Sequence, residues 1–304
     1  MTPLSLSRRA WIDLCLLALI WGGSFLSIRI ALDELAPLSA VVHRVLWAAA
    51  ILWCVVFFKG CTIPKTWRVW RDFFVMGLLN NVLPFTLMAW GQLHIETGLT
   101  AILNAATAIW GVLVAALVFS DERLGPRRAI GVVLGFGGVV AAIGPGALTG
   151  LDVSSWAQIA VIAGTISYAL AGSWARAALA EHPPLVAAAG MLTCACLVLV
   201  PLAHVVEGPL RLALAPATWG AIAYYSVAAT ALAYVLYYRI LATAGAGNLL
   251  IVTLMIPPVA IVLGAVVRAE TLSPSAYLGF AVLGVGLVVL DGRLCHVLAK
   301  KGPQ

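Results

Sequence analysis

The side chains of this sequence that could act on a solute stand inside long apolar runs. Trp21, Trp110 and Tyr168, with Trp47, interrupt stretches of Leu, Ile, Val and Ala. An indole N–H or phenol O–H in hydrocarbon needs a partner, so each must face a cavity or a neighbouring helix. Ser226, Thr230, Tyr234, Tyr237 and Tyr238 recur every three to four residues, which places them along one helical face. Asn81, Phe85, Met88 and Gln92 make a second such face, with Asn80 and Pro84 beside it. Polar stripes are costly against lipid, so both face the interior of a bundle. Asn104 and Thr107 lie one turn apart, and Thr253 precedes Pro257 and Pro258, whose missing N–H groups free carbonyls at a cavity or hinge. For each residue two readings stand side by side, contact with a substrate or polar contact between helices worth about 0.6 to 2 kcal/mol. Arg44 lies about 9 Å inside the end of its run, at ~1.5 Å per residue. It either anchors a substrate carboxylate and gates the cavity or snorkels to the interface. The chemistry on offer is non-covalent recognition of a small molecule.

Other chemistries lack their residues. There is no GxSxG, no HExxH and no pair of intramembrane acids, so an intramembrane enzyme is disfavoured. A channel or a non-transporting receptor is the alternative to a carrier. The six cysteines are scattered, with no CxxC and no His cluster at ligand spacing, so neither a metal nor a cofactor is expected. Gly135, Gly137 and Gly138 follow no strand and therefore do not read as a dinucleotide fingerprint; Gly131 and Gly135 instead make a small-xxx-small face. Asp13, Glu96, Asp152, Glu181, Glu207, Glu270 and Asp291 are all terminal to the apolar runs or lie between them. Without an intramembrane carboxylate relay, the expected solute is neutral or zwitterionic, such as an amino acid, and organic cations are disfavoured. A net charge of +6 does not imply a nucleic-acid partner, because the Lys and Arg residues sit in short loops rather than in a basic groove. The expected partners are the small-molecule substrate and the lipid bilayer, with the chain acting as a monomer or homodimer.

The elements that must hold these residues are membrane helices. The chain is 63% hydrophobic and 10% charged, with a mean hydropathy of +1.05, whereas soluble domains carry about 45 to 50% apolar and about 25% charged residues. Ten candidate spans follow over approximately 11–31, 39–58, 73–93, 97–119, 128–145, 156–178, 184–204, 217–240, 247–267 and 275–291. The first run is too long for a signal peptide's apolar region of about 7 to 15 residues, and a retained span is expected. Arg8, Arg9, Lys59, Lys65, Arg68, Arg71, Arg123, Arg127, Arg128, Arg176, Arg239, Arg293, Lys300 and Lys301 fall on one side, while Arg211 and Arg268 fall on the other. By the positive-inside rule both termini are cytoplasmic. Trp11, Trp67, Trp70 and Trp174 at one set of ends, and Trp90, Trp156 and Trp219 at the other, form the matching aromatic belts.

An internal repeat organises the spans. A shift of 148 residues superposes Glu122 on Glu270, Leu124 on Leu272, Pro126 on Pro274, Gly131 on Gly279 and Gly138 on Gly286. Five spans separate the copies, an odd number, so the second half is expected to lie inverted in the bilayer with a substrate site between the halves. The halves are 11–145 and 156–292. The runs WGGSFLSIR (Trp21 to Arg29), NNVLPFTLMAWGQ (Asn80 to Gln92), GLTAILNAATAIWGVLVAALVFSDERL (Gly98 to Leu124) and IPPVAIVLGAVVRAETL (Ile256 to Leu272) resemble the EamA-type branch of the drug/metabolite transporter superfamily. The resemblance implies an all-α, ten-helix inner-membrane carrier whose cavity is lined by the first, third and fourth helices of each half and whose relatives include exporters of amino acids. The second span is then expected at the periphery. Where many relatives carry Pro in the fourth span this chain has Ala108 and Ile109, while the ninth keeps Pro257 and Pro258.

Overall fold

The computed structural model describes residues 7–95, 97–122, 124–152, 155–268 and 274–291. Among the described residues, eight helices are long and apolar enough to cross a bilayer: α1 (Arg8–Leu32), α2 (Pro37–Phe58), α3 (Trp67–Gly91), α4 (Leu99–Val118), α5 (Pro126–Ile143), α6 (Trp156–Leu179), α7 (Pro184–Glu207) and α8 (Pro216–Ala244). Two further helices stand where the ninth and tenth spans are expected. They are α9, over 246–268 as Ala246–Leu250 and Val252–Arg268, and α10 (Pro274–Asp291); their apolar stretches, Ala246–Val259 and Pro274–Leu290, are shorter. No strand occurs among the described residues. An apolar environment leaves a backbone no partner but itself, and a helix meets that demand within one segment. Pro37, Pro126, Pro184, Pro216 and Pro274 open their helices, where the absent N–H costs nothing.

The packing repeats itself with the halves exchanged. α1 lies on α8 and α9, and α6 lies on α3 and α4; α2 lies on α7 and α8, and α7 on α2 and α3. Adding five to each helix number turns one list into the other, as a two-fold relation between halves requires. α5 and α10 form the closest pair. Gly131 faces Gly286 and Gly138 faces Gly279, so the two helices run antiparallel; a Cβ at any of the four would enter the facing helix. Both halves also bend their chains at matching places. α3 widens to π-turns over Leu78–Val82 and α8 over Tyr224–Leu232, while α4 breaks at Ala106 and α9 at Ile251.

The helix ends are tied across the halves. The Glu207 carboxylate, at the end of α7, accepts the N–H groups of Leu38 and Ser39 at 2.9 and 2.7 Å and so caps α2. Glu34, between α1 and α2, accepts the Thr218 hydroxyl at 2.6 Å and the Ala215 N–H at 3.1 Å. Those two bonds, with Arg211 nearby, hold its carboxyl below the usual carboxylate range. Arg29 does not pair with Asp33, as a spacing of four residues suggests, but donates to the Gln92 carbonyl at 3.2 Å and joins α1 to α3.

Candidate functional site

Between the halves lies a partly open cavity with about 90 Å³ of accessible volume. Its wall takes Trp21, Ser24, Phe25 and Ile28 from α1, four residues from α3 including Asn80 and Phe85, Gln92 just after α3, and Asn104 and Thr107 from α4. The second half gives Tyr168 from α6, Tyr225 and Tyr237 from α8, and Leu250, Thr253 and Ile256 from α9. The expected first, third and fourth helices of each half therefore all contribute. So does α2, expected at the periphery, through Ala40, Val41 and Arg44.

Eleven of the residues singled out above meet on this wall: Trp21, Arg44, Asn80, Phe85, Met88, Gln92, Asn104, Thr107, Tyr168, Tyr237 and Thr253. Asn81, Thr230 and Tyr234 stand behind it as its support. The Tyr234 hydroxyl donates to Asn81 Oδ1 at 2.6 Å, and the Thr230 hydroxyl donates to the Tyr225 carbonyl at 2.7 Å. Tyr238 points to the Met191 sulfur, 3.5 Å from its hydroxyl, on the side of α7. Trp110 and Pro257 are not part of the wall, and the Trp110 Nε1 is buried with no partner among the described residues.

The π-turns explain this division. A π-turn takes up one residue more than an α-turn, which rotates everything after it by about 100° relative to an unbroken helix. The stripe Ser226, Thr230, Tyr234 assumes an unbroken α-period, yet 224–232 is π-helical. Tyr225 and Tyr237 consequently share the cavity, while the stripe turns to α2 and α3. Tyr225 and Phe25 escaped sequence reasoning; an interruption of the α8 period would have been the signal, and nothing in the residue pattern marks it. In α3 the cause is visible: Pro84 cannot donate to the Asn80 carbonyl and crowds it. The carbonyls released there accept hydroxyls from the other half, Leu79 from Ser167 at 2.7 Å and Asn80 from Tyr234 at 3.5 Å. The bulge in α8 does the same in reverse, its Ala229 carbonyl accepting the Trp21 indole at 3.0 Å. Each bulge thus supplies a backbone acceptor to the first or third helix of the opposite half, in place of a bond within its own helix.

Arg44 reaches inward rather than to the interface. It is 8% exposed, with Nε donating to the Thr230 hydroxyl at 2.9 Å and Nη2 to the Ala229 carbonyl at 3.4 Å. Its guanidinium lies 3.9 Å from the Phe85 ring centroid, a cation–π contact. Neighbouring His43 is spent on structure. Trp47 donates to His43 Nδ1 at 3.1 Å, which leaves the Nε2 proton for the Arg211 carbonyl at 3.0 Å.

The wall residues lie toward the C-terminal ends of α1 and α3 and the N-terminal end of α2. The other end of the bundle is closed by charge. Glu122, 1% exposed, bonds Arg128 at 3.3 Å, Arg176, and the Ala246 and Gly247 N–H groups at 3.0 and 2.9 Å. It therefore caps α9 while pairing with α5 and α6. Asp121 also takes Arg176, whose hydrogen bond and charge hold its carboxyl below the usual range. Asp13 of α1 pairs with Arg239 of α8. Glu270, the repeat counterpart of Glu122, lies outside the described residues. No group of three or more acidic, His or Cys side chains able to hold a metal occurs among the described residues.

Comparison with known proteins agrees with this architecture. The model of the EamA-like transporter family matches residues 10–144 and again 155–290. An uncharacterized transporter of Archaeoglobus fulgidus is 24% identical over 92% of this chain and 99% of its own length. A probable terminal-alkyne amino-acid exporter of Streptantibioticus cattleyicolor is 25% identical over 95% of both chains. The uncharacterized inner membrane transporter YedA of Escherichia coli K12 is 22% identical over 90% of this chain and 88% of its own. A crystal structure 18% identical in sequence superposes with a TM-score of 0.77 over 93% of this chain and 99% of its own, which shows a shared fold. The names of family and relatives are those of transporters rather than enzymes. Matched by the family model in both halves, this multi-pass membrane protein belongs to the EamA-like transporter family.

Proposed function

We propose that the chain is an inner-membrane exporter of a small carboxylate-bearing metabolite of about amino-acid size, moved by alternating access between two five-helix halves, 11–145 and 156–292. The observation that carries this reading is the cavity itself, whose wall is drawn from both halves and combines aromatic faces, amides and hydroxyls with the Arg44 guanidinium. Trp21, Asn80, Gln92, Asn104, Thr107 and Tyr168 are the proposed substrate contacts. The amino-acid export named for one relative supports a solute of that size. Counterflow into proteoliposomes loaded with an unlabelled panel of amino acids and simple carboxylates tests it. External labelled solute should accumulate transiently and saturate with concentration. Flux that rises without saturation would point to a channel, and chemical conversion without accumulation to an enzyme.

In this reading ten spans cross the membrane, the halves are inverted, both termini are cytoplasmic, and the chain works as a monomer or homodimer. The antiparallel contact of α5 and α10 supports inversion, since a two-fold that exchanges antiparallel helices lies across them. With that orientation the cavity faces outward and the Glu122 and Asp13 pairs seal the cytoplasmic end. A topology reporter fused after Trp156 should be active on the outer face. Activity in the cytoplasm would overturn the span count.

A further inference from the structure

The cavity carries a charge with no opposite charge beside it among the described residues. Elsewhere this fold pairs its inward-turned arginines: Arg128 and Arg176 with Glu122, and Arg239 with Asp13. Arg44 is as well buried, yet among the described residues no carboxylate lies within ion-pair distance, and it is the one charged residue on the cavity wall. A guanidinium has five N–H donors in a planar fork. Here Nε and one Nη2 hydrogen are directed to Thr230 and Ala229, the latter in a long contact of 3.4 Å. Phe85 covers one face of the plane and holds its orientation without neutralising it. A bare cation in so apolar a setting is costly, and a single carboxylate taking two parallel N–H bonds both neutralises it and fits its geometry.

The rest of the wall decides what else the ligand carries. Trp21, Phe25, Phe85, Tyr168, Tyr225 and Tyr237 line the cavity with aromatic side chains that suit an apolar body. An ammonium group would bring a second positive charge into a cavity with no acid among its described lining residues, where amide and hydroxyl oxygens such as those of Asn104 and Thr107 would have to receive it. We propose that the cargo is a monocarboxylate anion with an apolar, aromatic-sized body and no cationic group, and that Arg44 selects it. The proposal rests on the transporter reading above and narrows its substrate from any carboxylate-bearing metabolite to an anion. Bound in this way, cargo and cavity together carry no net charge when the halves close over them.

The test is equilibrium binding to the purified full-length chain in detergent, by calorimetry at neutral pH, with phenylacetate, 3-phenylpropionate, phenylalanine, methyl 3-phenylpropionate and 2-phenylethylamine. At least one of the two carboxylates should bind about tenfold or more tightly than phenylalanine, as one charge-assisted bond is worth. The ester and the amine should bind more weakly still. Arg44→Gln should lose about tenfold or more of the carboxylate affinity and Arg44→Lys less, because a lysine keeps the charge without the fork. Equal or tighter binding of phenylalanine, an ester as good as its acid, or failure of both carboxylates overturns the proposal. The ester comparison needs no variant and stands if Arg44→Gln does not fold. Amino-acid counterflow without carboxylate binding sinks this proposal and leaves the transporter reading intact; absence of both sinks both.

Discussion

Glu122→Ala should lower the stability of the protein by about 3 to 5 kcal/mol, seen as a fall in the melting temperature of the purified chain. The carboxylate answers two guanidinium groups and two backbone N–H groups at once, from α5, α6 and α9. Its removal leaves cations without a partner in a place largely closed to water, Arg128 and Arg176 being 13% and 19% exposed. The penalty comes from those orphaned charges rather than from the lost contact, which gives a sharper form of the prediction. Replacing Arg176 by Met together with Glu122 by Leu should cost less than the sum of the two single changes, because the pair then leaves no orphaned guanidinium at Arg176, while Arg128 still loses Glu122 and Asp121 still loses Arg176. If the double variant is as unstable as the sum of its parts, the carboxylate acts chiefly as the cap of α9.

Gly279→Ala should be as damaging by a different route. An added Cβ at Gly279 lands on the backbone nitrogen and Cα of Ala142, and one at Gly138 lands on the backbone of Leu283. No rotamer can relieve a collision with main chain, so α5 and α10 must separate along their whole contact. The cost lies at or above the upper end of the about 1 to 3 kcal/mol typical of overpacking. Gly137, on the same α5 but with nothing within 4 Å of its added Cβ, is the control. Gly137→Ala should be neutral or stabilising by up to about 1 kcal/mol, since it trades a poor helix former for a good one. Thermal unfolding of both variants in one detergent decides the matter, and equal melting points would remove the close contact from the account.

The sequence made the helices legible because a bilayer permits few alternatives. The α2 and α7 starts at Pro37 and Pro184 and the turn around Glu122 fall where hydropathy and the 148-residue repeat expect them. What stayed hidden followed from two physical causes. The first is phase. Asn80 reads as lying beside a stripe that begins at Asn81, and the pattern passes over Tyr225, because a π-turn shifts every later residue and α8 carries no proline near its bulge to announce it. The second is ambiguity of charge. Arg128, Arg176 and Arg239 read as topogenic loop charges, yet each is bound to a carboxylate, Arg128 to one six residues away and the other two across the bundle, and no local pattern tells a solvated arginine from a paired one. Arg44 had two readings from its depth alone, and only the positions of Phe85 and Thr230, 41 and 186 residues away, select between them.

The contact of α5 with α10 also bears on how such a chain can come to exist. Gly131 meets Gly286 as Gly138 meets Gly279, and the repeat equates Gly131 with Gly279 and Gly138 with Gly286. The surface is therefore complementary to its own upturned copy, which is the condition for two identical five-helix polypeptides, inserted in opposite senses, to recognise each other without any further invention. Joining them in one chain makes their meeting independent of how much protein the membrane holds. It also frees the two copies to diverge, so that one half can keep an arginine in the wall while the other does not.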